Sequence, residues 1–175
     1  MELTKSELRV KIRQGRIGRK VRFDISPLLD SPEFRESHVV ASYRSYGDEP
    51  DTSELNREIL AAGKILLLPE LLPDKDLRFI RWDGSAELQR NGRFEVPLGD
   101  TFEGEIDLII VPSLAIDLTG ARLGQGGGSY DRVMSRLHSW SVALINGEEL
   151  VEKIPAEGHD IPVQAALLPD RLVRF

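Results

Sequence analysis

The stretch IDLIIVPSLAI, residues 106 to 116, limits the choice of fold more than any other part of the chain. A short unbroken run of Ile, Leu and Val is what a strand needs when both of its faces are buried, as in a parallel sheet covered by helices. KILLLPE (64–70), SVALI (141–145) and AALLP (165–169) have the same character, and HVVASYRSY (38–46) is rich in strand formers. LRFIRW and GRFEV are weaker strand candidates. Helical segments lie between these runs. DTSELNREILAAG (51–63) carries Asp51 and Glu54 in capping spacing and ends in Gly63, while YDRVMSRLH (130–138) reads as another helix. This alternation predicts an α/β fold with a mostly parallel sheet and helices on both faces.

At 175 residues the chain suits a single domain, 1–175, with no internal repeat or linker. It contains no cysteine, which removes disulfides, thiolate catalysis and zinc–thiolate sites. His38, His138 and His159 are too scattered in sequence to suggest a metal cluster. No apolar run approaches the roughly 20 residues that cross a bilayer, and MELTKSELRVKIRQGR lacks the apolar centre of a secretory signal. A cytoplasmic protein without a membrane partner is the expectation.

The net charge of −6 conceals an asymmetry. Eight Lys and Arg stand among the first 22 residues against Glu2 and Glu7, so the rest of the chain is strongly acidic. That acidic body would repel a polyanion, and the basic arm is short and lacks aromatics, so nucleic acid is not the expected partner. A small phosphorylated ligand suits the arm better. Thr4 and Glu7 have capping-box spacing ahead of Leu8 and Ile12, predicting a basic helix over about 4–14. Lys5, Arg9 and Arg13 recur every fourth residue and share one face of it, either as a solvated surface or as a ligand contact. Arg16 is the expected matched control for Arg9.

RLGQGGGSYDR (122–132) follows the strongest strand and precedes a helix. Loops in that position form the ligand crevice of a parallel sheet. Gly126, Gly127 and Gly128 allow close backbone approach and inward-turned N–H groups, while the helix start adds unpaired donors. Arg122 offers a forked donor to phosphate oxygens, and Asp131 is intelligible beside an anion if magnesium lies between. The loop matches neither the Walker pattern nor the dinucleotide fingerprint. From these residues alone, a tight glycine turn remains an equal alternative.

The longer segment VPSLAIDLTGARLGQGGGSYDRVMSRL resembles the signature of the 5-formyltetrahydrofolate cyclo-ligase family, also called methenyltetrahydrofolate synthetases. KSELR, EPDTSEL, GKILLLPE and EKIPAEGHDIPVQAAL extend the resemblance over almost the whole chain. It implies a three-layer α/β fold of the NagB/RpiA/CoA-transferase type and an ATP- and magnesium-dependent conversion of 5-formyltetrahydrofolate to 5,10-methenyltetrahydrofolate. By matching positions it implies that Lys5 and Arg9 contact ATP phosphates. Arg122, Gly124, Gly126, Gly127, Gly128 and Ser129 would form the nucleotide loop, and Asp131 would be a magnesium ligand. Glu49 would meet the pterin, with Tyr130 between nucleotide and folate; Arg122, Tyr130 and Asp131 would be catalytic. A monomer or weak dimer is expected. Three positions depart from the family pattern. Ser129 replaces an aromatic residue, Val96 a glutamate, and Gln164 stands where a second magnesium-associated aspartate is expected. These departures leave room for a paralogue that phosphorylates another amide or carboxylate, or for a silent nucleotide-binding regulatory domain.

Overall fold

The computed structural model describes residues 3–155 and 157–175. Glu2, counted in the N-terminal charge, and Ala156, inside EKIPAEGHDIPVQAAL, lie outside the described residues. Helix α1 (Lys5–Arg16) opens with the expected box: Thr4 Oγ1 accepts the Glu7 N–H, and Glu7 accepts the Thr4 N–H. Two short helices, α2 (Ser26–Leu29) and α3 (Pro32–Glu36), follow without having been anticipated. Ser31 caps α3 through its hydroxyl and Pro32 begins it, a Ser-Pro signal present in the sequence. Strand β1 (Val39–Ala41) leads to α4 (Ser53–Ala61), whose first turn is fixed by the Asp51 carboxylate accepting the Ser53 N–H at 2.8 Å.

The remaining elements are β2 (Ile65–Leu71), β3 (Leu77–Trp82), the hairpin β4 (Leu88–Asn91) and β5 (Phe94–Pro97), β6 (Leu108–Pro112), β7 (Ala115–Asp117), β8 (Arg122–Leu123), α5 (Ser129–Met134), β9 (Trp140–Leu144), β10 (Leu150–Val151), β11 (Ala165–Leu167) and β12 (Leu172–Arg174). Seven strands form the central sheet in the order β12-β11-β9-β6-β1-β2-β3. The five inner strands run parallel, and β3 and β12 close the edges antiparallel. The continuous apolar runs are explained by this burial on both sides. Along β6, Leu108 and Ile110 face one cluster with α2, α3 and α4, whereas Ile109 and Val111 face the other. The same division recurs at Val142 and Leu144 against Ala143, and at Ala165 and Leu167 against Ala166. The molecule is therefore a three-layer α/β protein, although the second face is covered by α5 and the β4–β5 hairpin rather than by long helices. No helix among the described residues is long and apolar enough to cross a membrane.

Two expectations about elements need correction. The apolar run 106–116 is two strands, because the chain leaves the central sheet after Pro112 and Ala115–Asp117 joins a small sheet with β8 and β10. The helix expected to reach His138 ends at Met134. Both Arg136 and Leu137 direct their N–H groups to the Val133 carbonyl, so the last turn tightens, while the Arg136 guanidinium is drawn to Asp76 and the Leu77 carbonyl.

Candidate active site

At the carboxyl end of β6 the glycine loop, α1 and the 157–161 segment enclose a crevice of about 1480 Å³. Every expected site residue except Glu49 lines it. Helix α1 is seated by Leu8 and Ile12, four apart, which pack with Leu114, Ala115, Leu123 and Ile154. One residue further round the helix, the basic face meets the loops in order. Lys5 Nζ lies 2.6 Å from Asp160 Oδ2 and 3.6 Å from Glu157, Arg9 Nε donates to the Gly124 carbonyl at 2.9 Å, and Arg13 donates to Gln125 Oε1 at 2.7 Å. Lys5 and Arg9 are thus half-buried against the loops, while Arg13 reaches Gln125 from an exposed position.

Arg16 departs from its expected role as an ordinary contrast. It is buried and forms a two-pronged pair with Glu149, Nε to Oε1 at 2.7 Å and Nη2 to Oε2 at 2.8 Å, while Nη2 also donates to the Ser113 carbonyl. Glu149 accepts two more bonds, from the backbone N–H and the side-chain amide of Asn146. Burial alone would lower the guanidinium's affinity for its proton, but the hydrogen bond and charge of Glu149 outweigh it and raise the Arg16 pKa. Sequence spacing gives no sign of this network, because the partners are 133 residues apart.

The glycine loop is sterically constrained. Gly126 has φ of 107°, a region open to glycine and strained for other residues. At Gly124 a Cβ would come within 2.7 Å of Arg122 Nη1, so the bare backbone leaves space for the guanidinium. Arg122 Nη2 pairs with Asp131 Oδ2 at 3.0 Å, and Asp131 Oδ1 accepts the Ile161 N–H at 3.1 Å. Two donors in this wall, Arg122 Nε and the Tyr130 hydroxyl, are buried without a hydrogen-bond partner. Unpaired buried donors cost about 1–3 kcal/mol each, so they mark where a polar ligand would be stabilised. Burial raises the Tyr130 pKa far above the phenol's usual value, with Arg93 and Arg122 opposing and Glu49 adding to it. The hydroxyl therefore remains a neutral donor. Glu49 does not line the crevice; its carboxylate accepts the Tyr46 N–H at 2.9 Å, and its charge reaches Tyr130.

Gln164 is nowhere near this wall. Its Oε1 accepts the Ser141 N–H at 2.9 Å at the amino ends of β9 and β11, the opposite end of the sheet from the crevice. The carboxylates that do line the crevice from this segment are Glu157 and Asp160, the latter four residues earlier. His159, isolated from the other histidines, has acids close on both sides: the ligand-type atoms of Glu157, His159 and Asp160 lie within 4.8 Å of one another. Lys5 already supplies positive charge there. Val96 is buried in the apolar cluster beneath the β4–β5 hairpin, so the missing glutamate does not alter the crevice wall. Of the three departures, only Ser129 faces the crevice.

These features define an α/β protein with a cationic crevice at the carboxyl ends of its parallel strands, the position where such sheets bind ligands. A sequence profile described as the 5-formyltetrahydrofolate cyclo-ligase family matches residues 5–169. The 5-formyltetrahydrofolate cyclo-ligase of Escherichia coli strain K12 is 32% identical over 155 residues, spanning 83% of this chain and 85% of that protein. The enzyme of the same name from Mycolicibacterium smegmatis is 34% identical over 144 residues, spanning 76% and 74%. The solution structure of Aquifex aeolicus 5,10-methenyltetrahydrofolate synthetase superposes with a TM-score of 0.82 at 31% identity, covering 98% of this chain and 93% of that one. The chain belongs to the 5-formyltetrahydrofolate cyclo-ligase family.

Proposed function

We propose that this enzyme converts 5-formyltetrahydrofolate to 5,10-methenyltetrahydrofolate at the expense of ATP. The observation that carries this reading is the pair of buried, unpartnered donors, Arg122 Nε and the Tyr130 hydroxyl, in a wall shared by the glycine loop and the basic face of α1. The crevice volume supports it too, since about 1480 Å³ exceeds the 300–1,000 Å³ usual for one small ligand and suits two co-substrates.

The reaction explains the residues. A formamide carbon is a poor electrophile because the nitrogen lone pair delocalises into the carbonyl, and its oxygen is a poor leaving group. Transfer of the γ-phosphoryl to the formyl oxygen, with ADP released, remedies both. N10 of the same folate then attacks the activated carbon, its proton departs, and the C–O bond breaks to expel phosphate. Phosphoryl transfer demands positioning and charge neutralisation more than a protein nucleophile. Lys5, Arg9 and Arg122 supply the positive charge, and the glycine backbone from Gly124 to Gly128 admits the phosphates. The neutral Tyr130 hydroxyl donates a hydrogen bond between the two substrates, while Glu49, outside the crevice lining, favours the N–H groups of a pterin only through its charge, as it is felt at Tyr130. The oxygen donors of Asp131 and Asp160 fit a magnesium ion, each carboxylate keeping lone pairs beyond its present cation partner. Bound magnesium would neutralise charge on the nucleotide phosphates. A cytoplasmic setting and a monomeric or weakly dimeric state complete the proposal.

Two measurements bear on it. With the formyl oxygen labelled by oxygen-18, the label should emerge in inorganic phosphate; label retained in the folate or lost to water would exclude phosphorylation of that oxygen. Arg9→Ala should raise the KM for ATP about five- to tenfold with the folate KM unchanged, since a charge-assisted hydrogen bond contributes about 1.5–3 kcal/mol and part of it is retained by Lys5 and Arg122. Lys11, exposed on the same helix, is the proper control in place of the buried Arg16. Equal responses from Arg9→Ala and Lys11→Ala would remove α1 from the nucleotide site.

A further inference from the structure

The crevice holds cations that phosphate binding does not use. Lys75 and Arg93 both line it, from the β2–β3 loop and the β4–β5 turn respectively. Neither side chain makes an ion pair or hydrogen bond among the described residues; Arg93 lies over the Phe94 ring, 5.3 Å from its centroid. The two hairpins are joined where Asn91 Nδ2 donates to the Leu71 carbonyl at 3.1 Å, and Leu71 and Phe94 add apolar surface to the crevice lining.

Lys75 also stands where local chemistry disfavours it. Leu72 and Asp76 close a three-residue hairpin loop, with the Leu72 N–H donating to the Asp76 carbonyl and the Lys75 N–H donating to the Leu72 carbonyl. The third residue of such a loop takes the left-handed conformation and is most favourably glycine. Lys75, at φ of 67°, is the only non-glycine residue with positive φ among the described residues. Neighbouring acids do not neutralise it. Asp76 is paired with Arg136 at 3.0 Å and accepts the Leu77 N–H, and Asp74 accepts the Asp76 N–H. A lysine at a strained turn, aimed at a crevice and lacking a counterion, points to a ligand anion.

We propose that Lys75 and Arg93 hold the carboxylates of the substrate's glutamate moiety, making these two hairpin tips the subsite for the tail of a reduced folate. This rests on the cyclo-ligase reading, and it places the nucleotide's charge and the folate's charge on different elements: α1 and the glycine loop for one, the β2–β3 and β4–β5 hairpins for the other.

The test compares binding of 5-formyltetrahydrofolate with that of 5-formyltetrahydropteroate, which lacks the glutamate, to wild type, Lys75→Gly and Arg93→Ala. Wild type should bind the folate more tightly than the pteroate. Lys75→Gly should weaken folate binding about threefold, as for an exposed charge pair, and Arg93→Ala about tenfold, as for a charge-assisted hydrogen bond. Pteroate affinity and the KM for ATP should stay unchanged in both. Because glycine adopts the left-handed conformation freely, Lys75→Gly should melt no lower than wild type, which separates lost binding from lost folding. Equal weakening of folate and pteroate, or a rise in the ATP KM alone, would overturn the tail subsite while leaving the cyclo-ligase reading intact. Wild type that binds neither folate compound would overturn both.

Discussion

Glu149→Ala should cost the folded protein about 3–5 kcal/mol in urea denaturation, the usual penalty for removing one partner of a buried ion pair. The change leaves Arg16 in the interior with only the Ser113 carbonyl as acceptor, and it strands the Asn146 backbone and amide donors. Against a domain stability of about 5–15 kcal/mol, that loss is large enough to lower the yield of folded protein. The double change Arg16→Met with Glu149→Met should recover much of it, since apolar replacement of both partners removes the uncompensated charge. A Glu149→Ala loss below about 1 kcal/mol would mean that α1 is held without the Arg16–Glu149 pair, by Leu8, Ile12 and the contacts of its basic face. The pair matters for function because it anchors the carboxyl end of the helix that carries Lys5 and Arg9 to the crevice.

Asp131→Asn should lower kcat by about 10²–10³, the range seen when one preorganised electrostatic group is removed from a reacting centre. Its effect on stability is larger than the roughly 0.3–1 kcal/mol of a carboxylate at a helix start, because Asp131 is the counterion of a guanidinium whose side chain is 4% exposed. A cost of about 1–3 kcal/mol is expected, moderated because asparagine can still accept the Ile161 N–H. The two effects separate when turnover is measured well below the variant's melting temperature. A fully folded Asp131→Asn protein with wild-type kcat would reduce Asp131 to a structural partner of Arg122.

Features set by local physics were legible in the sequence. The capping box at Thr4 and Glu7, the four-residue repeat of basic residues on α1, and the apolar runs of β2, β6, β9 and β11 each depend on neighbours within a turn or a strand. What escaped was non-local or too short to have a period. Arg16 and Glu149 are paired through the tertiary fold, and nothing near either residue announces the other. The strands β7, β8 and β10 have two or three residues each, below the length at which alternation can be read. The α5 helix looked longer than it is because residues 135–138 are compatible with helix, and only tertiary contacts of Arg136 end it.

The site shows the same division. The glycine loop carried enough fixed positions to place Arg122, Tyr130 and Asp131 together, and the fold brings α1 to the same crevice. In the segment EGHDIPVQAAL the aspartate that faces the crevice is Asp160, whereas Gln164 lies at the opposite end of the sheet, bonded to Ser141. A strand entrance and a crevice rim lie side by side in that segment, and charge alone does not tell them apart.

On the proposed reaction, one crevice brings ATP and a formylated folate together for phosphoryl transfer and ring closure. Continuous absorbance recording of methenyl-folate formation from 5-formyltetrahydrofolate, with ADP measured in parallel, tests it most directly. Methenyl product should form only when ATP and magnesium are both present, with one ADP per folate converted and no product in excess chelator. ADP formation without methenyl-folate, or no turnover from a folded protein, would contradict it.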